Sequence, residues 1–167
     1  CVKPSGNASV LLQTASGIHA EHSNMYIRNV QMNKESEITQ AIMKTNPYMV
    51  EESVWSSTGT DVVVSFPILP KKGSMFKDDL LGIKHLELVK KAQKHWVETG
   101  TNEDLCADKG IRHNVSNTII VDDWDNVEKY VYENRDAFAG ISFLAMTGDK
   151  DYNQAPNTGV IDSKTMV

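Results

Sequence analysis

The sequence predicts an α/β fold, and two stretches carry that prediction. Between residues 115 and 145, a strand pattern, a helix pattern and a second short apolar run follow one another. This order implies two parallel strands joined by a crossover helix. A second amphipathic helix pattern covers residues 77–98. The chain has 167 residues with 40% hydrophobic content, which suffices for one domain with its own core.

Turn residues and helix-start residues delimit the elements of the first half. The predicted elements are, in order, a short helix at 7–12, a loop at 13–24, a strand at 25–32, a helix at 35–44, and β-like runs at 48–55 and 61–66. Asn33 is expected to cap the second helix, and Pro47 to end it. Pro67 is expected to end the last run, because proline cannot donate a hydrogen bond to a neighbouring strand.

The second half is predicted from its periodicity. The helix at 77–98 has an apolar stripe that contains Leu81, Leu88, Ala92 and Trp96. The strand pattern at 115–121 alternates, with Val115, Asn117, Ile119 and Val121 on one side. Either Asp122 or Asp123 is expected to cap the next helix, Gly140 to end it, and residues 141–145 to form a second strand.

Composition excludes several classes of protein. The chain has 17 basic and 22 acidic side chains and a net charge of −5, which argues against nucleic acid as the main partner. No apolar window approaches the length that crosses a bilayer, so no membrane partner is expected. Cys1 and Cys106 are too few for a disulfide scaffold, which favours a reducing, cytoplasmic setting.

The most distinctive local feature is the segment Lys3-Pro4-Ser5-Gly6-Asn7-Ala8-Ser9, hereafter the N-terminal turn (residues 3–9). Pro4 fixes the backbone, Ser5 is a favoured helix cap, and Gly6 permits close approach of another group. The free amides of a first helical turn favour an anion in front of them, so the turn is a candidate phosphate site. The alternative is an ordinary capped helix.

Six separated segments together resemble one enzyme family. They are Val2–Gly6, Ser16–His19, Tyr26–Arg28, Val63–Pro67, Asn114–Thr118, and Ser142–Leu144 followed by Tyr152–Pro156. In this order they resemble the C-terminal part of the catalytic subunit of ribonucleotide reductases. The resemblance is strongest to the adenosylcobalamin-dependent class II enzymes, particularly the monomeric ribonucleoside triphosphate reductases. It covers residues 1–159, and residues 160–167 are expected to form a loose tail.

This resemblance implies the C-terminal portion of a ten-stranded α/β barrel, a partial barrel when isolated. It also implies that the N-terminal turn holds the substrate's phosphates. Carried over to this chain, the substrate-binding residues are Ser5, Gly6, Asn7, Ala8 and Ser9. Many relatives have Thr or Ser at the positions of Asn7 and Ala8, so more of the binding here would come from main-chain groups.

The family reduces ribonucleotides to deoxyribonucleotides for DNA replication by thiyl-radical chemistry, which adenosylcobalamin initiates. By the resemblance, the partners are a ribonucleotide, an external dithiol reductant, and an upstream part of the reductase with the finger-loop cysteines. That segment is not found here, and neither Cys1 nor Cys106 lies in a matching motif. No catalytic residue is therefore assigned, and the chain alone is expected to be inactive.

Two other functions stay open on the residues alone. The chain could be a stand-alone phosphate- or nucleotide-binding module that uses the N-terminal turn. It could also be the downstream piece of an intein-split reductase that needs its N-terminal half, because an intein requires Cys, Ser or Thr as the first residue after the junction and the chain opens on Cys1.

Other polar clusters favour structural roles. His19 and His22 lie three apart, but no further metal ligand is evident near them, so they are expected to be loop residues. The acidic group at 122–125 is expected to cap a helix rather than to bind magnesium. Trp55, Trp96 and Trp124 are assigned to packing.

Overall fold

The structure is a computed structural model that describes residues 2–146 and 152–160. The chain divides into two compact units, of which the first comprises residues 1–21 and 71–148 and the second residues 22–70 and 149–167. Both helices and strands are present in each unit, in agreement with the predicted mixed α and β content. Residues 161–167, which make up nearly all of the predicted loose tail, lie outside the described residues.

The first unit is built from three α-helices and a short parallel strand pair. Its elements are α1 (Gly6–Leu12), α3 (Gly82–Ala92), β4 (Ile119–Val121), α4 (Trp124–Glu133) and β5 (Phe143–Ala145). Short 3-10 turns occupy residues 77–79, 103–105 and 135–137, and a π-helical turn, Gln93–Glu98, extends α3.

Parallel pairing confirms the predicted strand–helix–strand unit. β4 and β5 pair in parallel, with Ile119 opposite Phe143 and Val121 opposite Ala145. Upstream of β4, Val2 forms a further parallel bridge with Val115, and the Ser116 amide donates to the Val2 carbonyl at 2.8 Å. The chain around Val2 therefore runs beside the strand region 115–121 in the same direction.

The core of the first unit lies between this strand region and the helices α3 and α4. Its buried members are Leu86, Val89, Val97, Val115, Ile119, Val121 and Val127. The predicted alternation is confirmed, because the side chains at 115, 117, 119 and 121 are all buried and the one at 118 is exposed. Burial of one of its two faces thus determines which side chains of the strand region point toward the core.

The helix limits of the first unit differ from those predicted. α3 begins at Gly82 rather than at residue 77, and the Trp96 side chain is 70% exposed instead of lying on the buried stripe. Asp123 caps α4, accepting from the Asn126 amide at 3.1 Å, as one of the two predicted caps. α4 ends at Glu133, well before Gly140, and a 3-10 turn at 135–137 follows it.

In its described residues, the second unit is an antiparallel sheet with one α-helix and a 3-10 turn, Pro47–Met49. Its elements are β1 (Tyr26–Asn33), α2 (Glu37–Thr45), β2 (Val50–Glu52), β3 (Asp61–Ile68) and β6 (Asn157–Gly159). The strand order is β2-β3-β1-β6, and Arg28 of β1 lies opposite Phe66 on one side and Asn157 on the other. β3 continues through Pro67, which pairs with Ile27, so the prediction that this proline ends the strand was wrong.

The cap of α2 also differs from the prediction. The Ser36 hydroxyl caps the helix, accepting from the Thr39 amide at 3.2 Å. Asn33 instead accepts from the Glu35 amide at 2.8 Å and forms the turn that leads into the helix. Within α2, Ile38 is 68% exposed, whereas Thr39 is fully buried.

Candidate functional site

The N-terminal turn follows an isolated parallel bridge. Val2 forms this bridge with Val115, and α1 begins only four residues later, at Gly6. Ser5 is the N-cap residue and has an extended backbone, with φ −115° and ψ 94°. The order of a parallel pairing, a turn and a helix resembles the position beyond the carboxyl ends of strands at which open α/β sheets bind ligands.

The polar groups at the start of the turn face outward. Ser5, Gly6 and Ala8 are exposed, and within the described residues the Ser5 hydroxyl makes no capping hydrogen bond. The Ser9 amide donates to the Ser5 carbonyl at 3.0 Å, which is the first hydrogen bond of α1. The amides of residues 6–8 precede that bond and therefore have no partner inside the helix.

Gly6 leaves open space in front of the turn. A β-carbon built at this position would have no described atom within 4 Å beyond its own neighbours and helix. The backbone of the turn therefore does not require glycine at residue 6 for packing. The side chain of Asn7, a predicted contact, lies outside what the structure describes, and its main chain belongs to the first turn of α1.

Ser9 stabilises the turn from inside. Its side chain is buried, and its hydroxyl donates to the carbonyl of Ser5 and, at 3.3 Å, approaches that of Gly6. A serine that bonds back to the preceding turn holds the local backbone rather than offering its hydroxyl to solvent. Of the predicted contacts, Ser5, Gly6 and Ala8 present outward-facing groups, whereas the Ser9 hydroxyl is engaged within the helix.

The loop at Ser16–His19 packs against the backbone of the N-terminal turn. Gly17 has a positive φ of 63°, and a β-carbon there would lie 3.0 Å from the Pro4 nitrogen and 3.1 Å from the Lys3 carbonyl oxygen. Only glycine allows this approach without displacing the turn. Two of the segments that the resemblance singled out therefore lie in direct contact.

His19 joins this loop to the strand region. Its Nε2 accepts from the Thr118 amide at 3.1 Å, so the ring proton is on Nδ1, which donates to the Ser16 carbonyl at 3.1 Å. The ring also meets His85 edge-on, with ring centroids 5.6 Å apart. His85 is buried in α3 and its Nε2 donates to the Ile18 carbonyl at 2.9 Å.

The environment of His85 disfavours its charged form. Burial lowers the pKa of His85 below its ordinary value of 6.5, His19 lowers it further, and the bond to Ile18 partly opposes both effects. A neutral His85 suits its position, because two charged imidazoles in edge-on contact would repel each other. His85 therefore acts here as a neutral hydrogen-bond donor to the Ile18 carbonyl.

Asn117 ties the two parallel strands together below the site. It is buried, and its Nδ2 donates to the carbonyls of Val115 at 2.7 Å and Gly140 at 3.0 Å. The Ser142 amide donates to its Oδ1 at 3.4 Å. Asn117 was predicted to face the core from the alternation, but its three main-chain partners are visible only in the folded chain.

Within the second unit, the remaining segments of the resemblance also come together. Asn29 of β1 donates to the Ala155 carbonyl at 2.7 Å. Gln154 accepts from the Val54 amide at 2.9 Å and donates to the Glu52 carbonyl at 2.7 Å. Sequence reasoning assigned no specific contact to Gln154, whose backbone φ of 60° is rare for a residue other than glycine.

Metal binding and thiol chemistry find no support in the described part of the chain. Residues 2–146 and 152–160 contain no group of three or more His, Cys, Asp or Glu side chains that could hold a metal ion. Asp123 serves as a helix cap, and both ring nitrogens of His19 bind main-chain groups. Cys106 is half-buried and its thiol donates to the Asn102 carbonyl at 3.4 Å, while Cys1 lies outside the described residues.

The tryptophans are more exposed than predicted. Trp55, Trp96 and Trp124 are each more than half exposed, although Trp55 meets Tyr152 edge-on and Trp124 meets Phe143. Trp55 and Trp124 therefore pack at the surface, against aromatic rings, whereas Trp96 does not lie on the buried stripe of α3 where it was predicted. Among the helices of the described residues, none is long and apolar enough to cross a bilayer.

The fold is that of part of a ribonucleotide reductase. The chain superimposes on a crystal structure of a B12-dependent (class II) ribonucleotide reductase with a TM-score of 0.74 and 20% identity, which covers 99% of this chain and 21% of that one. At this identity the likeness establishes the fold. No protein-family model matches the chain.

A curated relative extends this likeness to the sequence. The chain is 33% identical over 97 residues to a probable adenosylcobalamin-dependent ribonucleoside-triphosphate reductase of Dictyostelium discoideum. The match covers 58% of this chain and 12% of that protein, so the chain spans only a small part of the relatives it matches. Both comparisons confirm the resemblance to adenosylcobalamin-dependent ribonucleotide reductases that the six segments predicted.

Proposed function

We propose that this chain is the C-terminal part of an adenosylcobalamin-dependent ribonucleotide reductase, in which the N-terminal turn binds the phosphates of the ribonucleotide. The observation that carries the proposal is the exposure of Ser5, Gly6 and Ala8 at the start of α1, directly after the parallel bridge of Val2 to Val115. The likeness to class II reductases supports a nucleotide as the ligand.

The turn would bind phosphate mainly through its main chain. The amides of residues 6–8 have no partner inside α1, and the Ser5 hydroxyl is exposed beside them. Amide and hydroxyl donors suit phosphate oxygens, and the absence of a β-carbon at Gly6 lets those oxygens approach closely. Ser9 would contribute by holding the backbone of the turn, because its hydroxyl already donates to Ser5.

The rest of the reductase lies outside this chain under the proposal. The upstream part would complete a ten-stranded α/β barrel and supply the finger-loop cysteines, and an external dithiol would return the electrons. Adenosylcobalamin, when bound, would supply the radical that starts the reduction of ribonucleotide to deoxyribonucleotide for DNA replication. No residue of this chain is assigned to hold it. A cytoplasmic location is part of the same proposal and rests on the low cysteine content.

Substitutions in the N-terminal turn test phosphate binding in the complete reductase. Gly6→Val places two methyl groups where a phosphate would approach, and Ser5→Ala removes one donor. Loss of one hydrogen bond to a charged group should raise KM for the ribonucleotide roughly tenfold or more for each variant. Ser74→Ala, at a turn of the same unit, is the matched control for Ser5→Ala. An unchanged KM in both Gly6→Val and Ser5→Ala would refute the phosphate assignment.

Complementation tests the fragment assignment itself. The isolated chain should be inactive, and mixing it with a polypeptide that carries the finger-loop cysteines, adenosylcobalamin and a dithiol should yield deoxyribonucleotide. Nucleotide binding by the isolated chain, without any gain of activity on complementation, would instead favour a stand-alone binding module. Activity that appears only on joining the two halves would fit a natural split product, including one that arises at an intein junction before Cys1.

A further inference from the structure

We propose that His19 is a positioning residue for the N-terminal turn: by bridging the Ser16 carbonyl and the Thr118 amide, its imidazole fixes the loop that supports the backbone of that turn. This inference rests on the proposed function, because the ligand concerned is the phosphate group of the ribonucleotide. His19 itself is placed to hold protein segments together, with both ring nitrogens bound to main-chain groups.

Three chain segments meet around this histidine. The first is the start of the N-terminal turn, which pairs with the strand region through Val2 and Val115. The second is the loop that carries Gly17, whose α-carbon lies against the backbone of Lys3 and Pro4. The third is the strand region at Thr118, which donates its amide to His19. Each segment therefore contacts the other two, and His19 supplies the link between the second and the third.

The hydrogen bonds of His19 affect the N-terminal turn because His19 is only two residues after Gly17. A shift of the loop at His19 therefore also moves Gly17, against which the backbone of Lys3 and Pro4 packs. Gly17 lies so near the turn that an added β-carbon would be 3.0 Å from the Pro4 nitrogen, so a shift of the loop toward the turn would press on this backbone. Donors that bind an anion must be held within a fraction of an ångström, so the effect should appear in substrate binding.

His85 fixes the ring plane of this link. It meets the His19 ring edge-on at an interplanar angle of 82°, and it holds the adjacent Ile18 carbonyl through its own Nε2. Because His85 is buried in α3, the loop is attached to the core on this side as well. The lowered pKa of His85 agrees with a neutral His85 ring beside the Nε2 of His19, which accepts from the Thr118 amide.

The experiment compares three variants of His19 in the complete reductase. His19→Gln is long enough to present an amide oxygen to the Thr118 amide, whereas His19→Asn is too short and His19→Ala has no acceptor. We expect KM for the ribonucleotide to rise about fivefold to tenfold in His19→Asn and His19→Ala, the change that loss of one buried hydrogen bond produces. His19→Gln should restore KM to within about threefold of the parent, and kcat should change little in any variant.

If the His19 variants only destabilised the fold, the kinetic result would differ. The fraction of active enzyme, and so the apparent kcat, would fall, KM would not change, and His19→Gln would not restore the activity. Equal KM values for His19→Asn and the parent, or an equal rise in Asn and Gln, would overturn the inference. If His19→Ala does not fold, the comparison of the two amide variants decides. His95→Gln, an exposed histidine of the same unit, is the control for loss of an imidazole.

Gly6→Val, measured alongside, separates the two proposals. If Gly6→Val raises KM and the Asn and Ala variants of His19 do not, the positioning role is wrong and the phosphate site stands. If neither Gly6→Val nor Ser5→Ala affects KM, the phosphate site itself is wrong, whatever His19 does.

Discussion

Replacing Gly17 by alanine should weaken the first unit more than the same replacement at Gly73 or Gly6. The backbone of Gly17 has a φ of +63°, which costs an alanine about 1 kcal/mol or slightly more. The added β-carbon would also press on the Lys3–Pro4 backbone at 3.0 to 3.1 Å, and overpacking of that kind costs roughly 1–3 kcal/mol. The total loss of unfolding free energy is therefore about 2–4 kcal/mol.

The two other glycines separate these contributions. Gly73 also has a positive φ, of 88°, but no described atom lies within 4 Å of an added β-carbon, so Gly73→Ala should cost only the strain of about 1 kcal/mol. Gly6 has neither a positive φ nor a close neighbour, and it lies in α1. Gly6→Ala should be neutral or stabilise by up to about 1 kcal/mol, since alanine is the better helix former.

Urea unfolding followed by tryptophan fluorescence measures the series. In a Trp55→Phe background the remaining tryptophans, Trp96 and Trp124, both lie in the first unit, so the fluorescence change reports that unit alone. The decisive quantity is the difference between Gly17→Ala and Gly73→Ala, expected to be at least about 1 kcal/mol. A difference of zero would mean that the loop does not rest on the backbone of the N-terminal turn.

Three further changes test other parts of the first unit. Asn117→Ala leaves two carbonyls and one amide without their buried partner, and should lower the unfolding free energy by about 2–4 kcal/mol in the same urea assay. Tyr130→Phe removes the hydrogen bond from the Tyr130 hydroxyl to Glu87, and thermal unfolding should show a loss of only about 0.5–1.5 kcal/mol. Because the pKa of His85 is lowered in the folded chain, the unfolded chain binds more protons below about pH 6.5, and stability should fall as the pH drops through that range by at most about 1.4 kcal/mol per pH unit. Denaturation curves of His85→Gln over the same pH range should show the shallower dependence.

The strand region at 115–121 was predictable because one physical requirement determines it. Every second side chain is buried against α3 and α4, and the side chains that alternate with them are not. A period of two therefore appears directly in the order of residue types, even though the buried set includes the polar Asn117. Parallel pairing followed as well, because a helix between two strands carries the chain back to the same end of the sheet.

The helix at α3 shows where periodicity fails. The predicted stripe followed apolar residues and ended at Trp96, whereas the buried side chains include His85 and Gln93 and end at Val97. Gln93 is buried because its side chain donates to the His113 carbonyl at 3.1 Å, a contact that no hydrophobicity pattern contains. The buried positions 85, 89, 93 and 97 are spaced four apart, as are the predicted positions 88, 92 and 96, so the observed stripe is displaced by one residue along the helix.

For the candidate site, the sequence identified the segments but not their contacts. The residues at 3–9, 16–19 and 114–118 were singled out by resemblance, and all three lie together in the first unit. The hydrogen bonds of His19 could not be predicted, because its partners are main-chain groups. Nearly every residue has the same main-chain amide and carbonyl, so the residue types do not indicate which of these groups His19 binds. Gly17 was the one residue that could have indicated a close approach, since glycine is needed where two backbones meet.

The anchors of the N-terminal turn do not depend on the side chain at residue 8. Val2 is held by backbone pairing with residues 115–116, Lys3 and Pro4 rest on Gly17, and Ser9 bonds back to the Ser5 carbonyl. None of these contacts uses the side chain of residue 8, which is exposed. Alanine at residue 8 offers no side-chain donor but leaves the main-chain amides of the turn in place. The geometry of the proposed phosphate site therefore depends more on Gly17 and His19, outside the turn, than on the identity of the residue at position 8.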